Sequence, residues 1–161
     1  MESERHRELL GLFNGIGKSL DTTLPEGRTS TQSITYLASV SGVDLGYEYS
    51  WGLFGPYSKG IDRDASRVLE HGADPADPPG DLGGFREFIT PHIDDPAWLE
   101  VAASVIYLWR VQYEMRPLED VAGQILTDMT CIYRNFGQYR VGTIIEQMAG
   151  RGLLGKRLVY S

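Results

Sequence analysis

The stretch YEYSWGLFGPYS, which runs from Tyr47 to Ser58, decides the fold that this sequence predicts. Aromatic residues alternate with small or polar ones from about Gly46 to Phe54, and this period of two is typical of a half-buried strand. The dipeptide Gly55-Pro56 is expected to end the strand with a turn. Ser58 then stands where the N-cap of a following helix is needed. The stretch therefore predicts a strand, a turn and a capped helix, in that order.

Apolar residues recur at three- and four-residue steps on both sides of this stretch, which predicts helices. The predicted helices cover about residues 3–20, 29–41, 59–70, 82–89, 96–113, 117–133 and 139–148. The helix over 96–113 is apolar nearly all round, so we expect it to be central and buried. Residues 24–27 are expected to form a break, and the proline-rich residues 73–80 an exposed loop.

These elements predict one domain over residues 1–161 that is mainly α with a small β element, similar to a winged helix. Its winged-helix-like core is expected over about 3–110, with C-terminal helices over 117–150. At 161 residues and 42% hydrophobic content, the chain is long and apolar enough to form one core without staples.

Charge and cysteine content limit the class of protein. The formal net charge of −7 argues against broad attraction to nucleic acid. From Thr130 onward, the sequence has five basic residues and one acidic residue. The net charge of this end is therefore +4, and that of the preceding part is −11. That basic end is either a binding surface or a tail that docks on the chain's own acidic body.

The single cysteine, Cys131, excludes a disulfide within the chain and a thiolate zinc cage, and it favours a reducing cytoplasm. The longest apolar run, Val101 to Trp109, is too short to span a bilayer, and the charged residues 1–8 precede no apolar signal region, so we expect a soluble, cytoplasmic protein.

No motif supplies a catalytic, metal or cofactor site. The run Gly15–Ser19 resembles a phosphate loop but has Leu12 where that loop needs a glycine, and the run Gly150–Lys156 lacks the hydroxyl and the helix that should follow. The three histidines have no partner at metal-ligand spacing, and surface or capping roles are expected for His6, His71 and His92. A buried, inert thiol is expected for Cys131. The sequence therefore predicts a protein that is not an enzyme and has no cofactor, no catalytic residue and no metal ligand.

Candidate partner-binding residues come from aromatic and basic side chains. Core packing or a stacking surface for bases are both open for the aromatics of the strand, with Trp51 and Tyr57 expected to be exposed. A basic stripe recurs every four residues on the third helix, and it suits solvated charge, a protein partner or DNA. Acidic residues at 62, 64 and 70 on the same helix disfavour DNA. The candidate residues are Trp51, Tyr57, Ser58, Lys59, Arg63, Arg67, Arg140, Arg151 and Arg157.

Two blocks of sequence carry a resemblance. The run Gln-x-x-x-Tyr-Leu from Gln32 to Leu37, followed by Phe54-Gly55-Pro56-Tyr57-Ser58, resembles the YwgA-like family of uncharacterised prokaryotic proteins. It is also similar to the Panacea (SocA-like antitoxin) domain, and the run Leu99–Leu108 looks like the family's second block. The resemblance implies a helical, winged-helix-like domain without known enzymatic activity, and it assigns no functional residues.

The leading functional hypothesis is therefore a non-enzymatic interaction or regulatory module that binds another protein, or a second copy of itself. The resemblance implies a component of a toxin–antitoxin or phage-defence complex, which is an argument by analogy. The alternative is a winged-helix DNA-binding transcriptional regulator.

Overall fold

The computed structural model describes residues 2–133 and 137–154, which form a mainly helical fold with one two-stranded antiparallel sheet. The mainly α class with a small β element is thus confirmed. The chain divides into two compact units, residues 1–100 and 101–161. This division does not test the prediction of a single domain with a core and C-terminal helices, which stays a prediction.

The first unit contains the sheet and most of the helices. Its elements are α1 (Glu2–Ile16), α2 (Pro25–Val40), β1 (Ser50–Gly52), β2 (Gly55–Tyr57), α3 (Lys59–His71), α4 (Leu82–Ile89), a 3₁₀ turn (Thr90–His92) and the start of α5 (Pro96–Tyr107). Helix α1 packs against α3 and α4, and α2 packs against β2 and α3. Most residues of the apolar faces predicted from periodicity are buried, among them Leu9, Phe13, Ile34, Leu37, Ile61, Ala65, Phe85 and Ile89, whereas Leu69 of α3 is exposed.

Two helix boundaries differ from the prediction for local reasons. Helix α1 ends at Ile16 instead of about Leu20, because Gly17 adopts a φ of +75°, which interrupts a right-handed helix. Helix α2 begins at Pro25, in the segment that was predicted to be a break. Proline suits the first helical position, since its missing N–H would have no partner there in any case.

The predicted strand is a hairpin instead, and the prediction that Gly55-Pro56 ends it was wrong. Strand β1 pairs with β2 in the register Ser50↔Tyr57, Trp51↔Pro56 and Gly52↔Gly55. Gly55 has a φ of +105°, which favours glycine. A Cβ on Gly52 would lie 2.8 Å from the Cβ of Tyr57, so the strand pair leaves no room for a side chain there.

The residues before β1 alternate between buried and exposed, as expected of a strand, but they pair with no other strand within the described residues. Val43, Leu45 and Tyr47 are buried, and the residues between them are exposed. Tyr49 is half-buried with its ring edge on Tyr36, at 4.9 Å between the ring centroids. The alternation therefore reports an extended segment that lies on the core, which a sequence pattern does not distinguish from a paired strand.

The loop between α3 and α4 lies on α1. It contains no strand, and most of it is exposed as predicted. The backbone N–H of Ala76 donates to the carbonyl oxygen of Arg7 at 3.0 Å, and the Arg7 Nε donates to the carbonyl oxygen of Asp74 at 3.0 Å. A Cβ on Gly11 would lie only 1.8 Å from the Ala76 carbonyl oxygen. The absence of a side chain at Gly11 therefore lets the loop approach the helix backbone.

The second unit contains the end of α5, a π-helical turn (Leu108–Gln112), α6 (Leu118–Ile132) and α7 (Gly137–Gly150). The predicted helix over 96–113 thus changes type after Tyr107, and its burial is confirmed at Val101, Ala102, Ala103, Val105 and Ile106. The indole N–H of Trp109 donates to the Arg116 carbonyl at 2.7 Å across the following turn. Helices α6 and α7 pack together through buried residues that include Val121, Ile125, Met129, Val141, Ile144 and Met148.

Single residues also depart from the predictions. Cys131 is exposed, not buried, because it lies off the buried stripe of α6 that ends at Met129. His6 is buried in α1, not at the surface. His92 stacks on Trp98 with 3.5 Å between ring centroids.

Candidate binding groove

A buried glutamine joins the two motifs that the sequence singled out. The Gln32 Oε1 accepts from the backbone N–H of Ser58 at 2.9 Å, and its Nε2 donates to the Ser58 carbonyl at 2.9 Å. Ser58 holds the predicted N-cap position of α3, but its hydroxyl makes no capping bond. The Gln32 amide thus satisfies both backbone groups of Ser58, where the chain passes from β2 to α3.

Asp62, in the first turn of α3, collects three donors. Its Oδ2 accepts from the Tyr57 hydroxyl at 2.6 Å and from the Arg28 Nη2 at 3.2 Å, and its Oδ1 accepts from the Gln32 Nε2 at 3.1 Å. The hydrogen bond to Asp62 raises the pKa of Tyr57, because the phenol proton is held between the two oxygens. The carboxylate therefore ties α2, β2 and α3 together and lies at a helix end where negative charge is favourable.

A second carboxylate, Asp64, is buried on the inner face of α3 with only 3% of its surface exposed. It accepts from the Tyr47 hydroxyl at 2.7 Å. The guanidinium of Arg5 lies 5.0 Å from the centroid of the Tyr47 ring. Burial, with a further contribution from Asp64, raises the pKa of Tyr47 well above its usual range.

This shift predicts a loss of stability in alkali that depends on Tyr47. The unfolded phenol ionises near pH 10 whereas the folded one does so at higher pH, so above about pH 10 the unfolded chain binds fewer protons. The free energy of unfolding should then fall as the pH rises further. We expect Tyr47→Phe to lose less stability than the wild type between pH 8 and 11, as measured by urea unfolding. Between pH 6 and 8 the difference between the two proteins should stay constant, and equal losses in alkali would contradict the prediction.

Beside the Asp62 network lies a groove of about 310 Å³. Its apolar lining comes from Pro25, Leu53, Phe54 and Pro56. Its polar lining comes from Arg28, Thr29, Gln32, Tyr57 and Asp62. The groove therefore lies between the first turn of α2, the hairpin and the start of α3.

The hairpin presents apolar side chains to solvent at its tip. Leu53 is 85% exposed, Phe54 53% and Trp51 41%. The prediction that Trp51 is exposed is thus confirmed, whereas Tyr57 is half-buried through its bond to Asp62. Leu53 was missed as a candidate site residue, and Phe54 was considered only as one of the strand aromatics, because a single strand was predicted through them. The pair of glycines at 52 and 55, which bracket two apolar residues, is the signal that could have indicated a hairpin tip.

The structure brings some of the predicted residues together. Lys59, Arg63 and Arg67 share an exposed face of α3, and the Arg63 Nε lies 3.8 Å from the Asp64 Oδ1. Ser58 is buried at 4% exposure. In the second unit, Arg140 on α7 and Arg151 just after it are exposed, while Arg157 lies outside the described residues.

Comparisons with known proteins add no relative. No family model, no curated protein and no solved structure matches this chain. Among residues 2–133 and 137–154, no group of three or more His, Cys, Asp or Glu residues could hold a metal ion. In the same described ranges, no helix has the length and apolar character needed to cross a bilayer.

Proposed function

We propose that this chain is a non-enzymatic interaction module that binds another protein through the hairpin tip and the adjacent groove. The observation that carries the proposal is the exposure of Trp51, Leu53 and Phe54 on one short hairpin. Apolar side chains that cluster at a surface mark sites of protein association. Full burial of a Leu or Phe side chain is worth about 1.5–3 kcal/mol, so this tip can supply much of the energy of an interface.

The hydrogen-bonded base of the hairpin is a second argument for recognition. Tyr57 and Ser58, at the base of the hairpin, are held by Asp62 and Gln32 through bonds of 2.6 and 2.9 Å. A surface that is fixed before binding loses less conformational entropy when the partner arrives. The tip is therefore suited to act as an anchor.

Our proposal extends to the biological setting by analogy. Gln32 and Ser58, which hydrogen-bond to each other, belong to the two motifs on which the resemblance to the YwgA-like family and the Panacea antitoxin domain rests. We propose a winged-helix-like, cytoplasmic component of a toxin–antitoxin or phage-defence complex. The warrant for this setting is the resemblance, not the chemistry of the groove.

A capture experiment with a matched control tests the proposal. We expect the tagged protein to retain a stoichiometric protein from its host after nuclease treatment. Leu53→Asp should reduce the captured amount at least tenfold, because a charge at the tip is costly to bury. Leu69→Asp, at a leucine of α3 that is 46% exposed and outside the groove, should leave capture unchanged. Circular dichroism of all three proteins checks that they fold alike.

The exposed stripe of Lys59, Arg63 and Arg67 favours the alternative, a winged-helix DNA-binding regulator. In that case the capture would yield nucleic acid that is lost on digestion. Binding would fall steeply with salt, and Lys59→Glu, Arg63→Glu and Arg67→Glu would each weaken it. Such a result would contradict the interaction module and put the regulator in its place.

A further inference from the structure

We propose that the groove takes an extended peptide segment of the partner in which an apolar side chain stands next to a carboxylate. This inference rests on the proposed function and names the chemistry that the same site recognises. The groove offers two kinds of lining, one apolar and one charged.

The apolar lining selects an apolar side chain. Pro25, Leu53, Phe54 and Pro56 line the groove, and Leu53 and Phe54 remain largely exposed. At about 310 Å³, the groove lies at the small end of the range for ligand sites, which suits one or two side chains of an extended segment. Burial of Leu53 and Phe54 against such a side chain removes apolar surface on both partners from water.

The charged lining selects a carboxylate. Two charged side chains line the groove, Arg28 and Asp62. Asp62 already accepts from Tyr57, Gln32 and Arg28 itself, so its oxygens offer little to an incoming cation. In the bonds described, Arg28 gives one N–H of its five to Asp62, and its side chain is 59% exposed.

The guanidinium of Arg28 is therefore the group that a charged ligand meets. Its planar fork matches a carboxylate in a bidentate pair. A lysine of the partner would instead approach Arg28 and find the Asp62 oxygens occupied. Since the whole chain carries −7, general attraction cannot account for binding of an acidic segment, and dependence on Arg28 would be specific.

Selection from a displayed library of random peptides tests this inference on the intact protein. We expect the enriched peptides to carry Leu, Phe or Trp within two residues of Asp or Glu. A fluorescein-labelled copy of an enriched peptide should bind at least tenfold more weakly to Arg28→Ala than to the wild type, as measured by anisotropy. Arg86→Ala, at an exposed arginine of α4 outside the groove, should bind like the wild type. Arg28→Lys keeps the charge but not the planar fork, so its affinity for the peptide should lie between those of Arg28→Ala and the wild type.

The opposing outcomes are equally definite. No enrichment, enrichment of basic or purely apolar peptides, or binding that ignores Arg28→Ala would overturn the inference. A concentration-dependent dimer that Leu53→Asp dissociates would also overturn it, because a second copy would then fill the groove. A captured protein that is lost with Leu53→Asp but kept with Arg28→Ala would refute the carboxylate while leaving the proposed function intact. Capture of no protein at all would refute the proposed function itself.

Discussion

Gln32→Leu is expected to lower the free energy of unfolding by about 3 kcal/mol, since it leaves the buried N–H of Ser58 without a partner. That N–H lies 2.9 Å from the Gln32 Oε1, and the change also removes the 2.9 Å bond from the Gln32 Nε2 to the Ser58 carbonyl. Leucine has a similar volume, so the loss does not come from a cavity. The same change removes the 3.1 Å bond from the Gln32 Nε2 to Asp62.

Ser58→Ala is the matched control, because it removes only the Ser58 hydroxyl and keeps the hydrogen bonds between the Gln32 amide and the Ser58 backbone. Since the Ser58 hydroxyl makes no capping bond, the cost should stay below about 0.5 kcal/mol, where a true capping serine would cost about 1 kcal/mol. Urea unfolding followed by circular dichroism measures both variants. A large loss in Ser58→Ala with a small one in Gln32→Leu would show that the hydroxyl, and not the amide, holds this junction.

Gly11→Ala is expected to cost about 3 kcal/mol, although alanine is the better helix former. Its Cβ would lie 1.8 Å from the carbonyl oxygen of Ala76, which is backbone and cannot rotate away. The loop would have to leave α1 and give up the bond from the Ala76 N–H to the Arg7 carbonyl. Loss of loop contacts should also speed amide exchange at Ala76.

The same substitution at Gly83, in α4 of the same unit, is the control. A Cβ there would make an ordinary contact of 3.6 Å with the Asp81 Oδ1. We expect Gly83→Ala to leave stability unchanged or to raise it by up to about 1 kcal/mol. Urea unfolding should therefore show a large fall in the free energy of unfolding for Gly11→Ala, and no fall for Gly83→Ala. If Gly11→Ala were as stable as the wild type, the close approach of loop and helix would be refuted.

The sequence predicted what periodicity controls and missed what depends on partners distant in the chain. The short helix α4 was predicted over its observed bounds, because Phe85, Phe88 and Ile89 follow the helical period and Pro91 follows closely. Aspartate followed by proline is a local signal of a helix start, and the Asp95 Oδ1 accepts from the Trp98 N–H at 3.1 Å at the start of α5. Such signals lie within a few residues of each other.

The binding groove shows the other case. Gln32 and Ser58 are 26 positions apart, and no local pattern indicates that an amide replaces the hydroxyl as partner of the helix start. Arg28 reaches Asp62 across 34 positions, and it received no functional prediction. The hairpin was missed because its strands have three residues each, which is too short for a period of two to be distinguished from a single bent strand.

The exposure of Trp51 gives the protein its own optical reporter. Of the three tryptophans, Trp98 and Trp109 are 4% and 2% exposed, whereas Trp51 is 41% exposed. A quencher dissolved in water therefore reaches the emission of one indole, and that indole stands in the hairpin that we propose as the anchor. Occupation of the tip would shield Trp51 and leave the emission of the two buried indoles unchanged, so association is visible without any added dye.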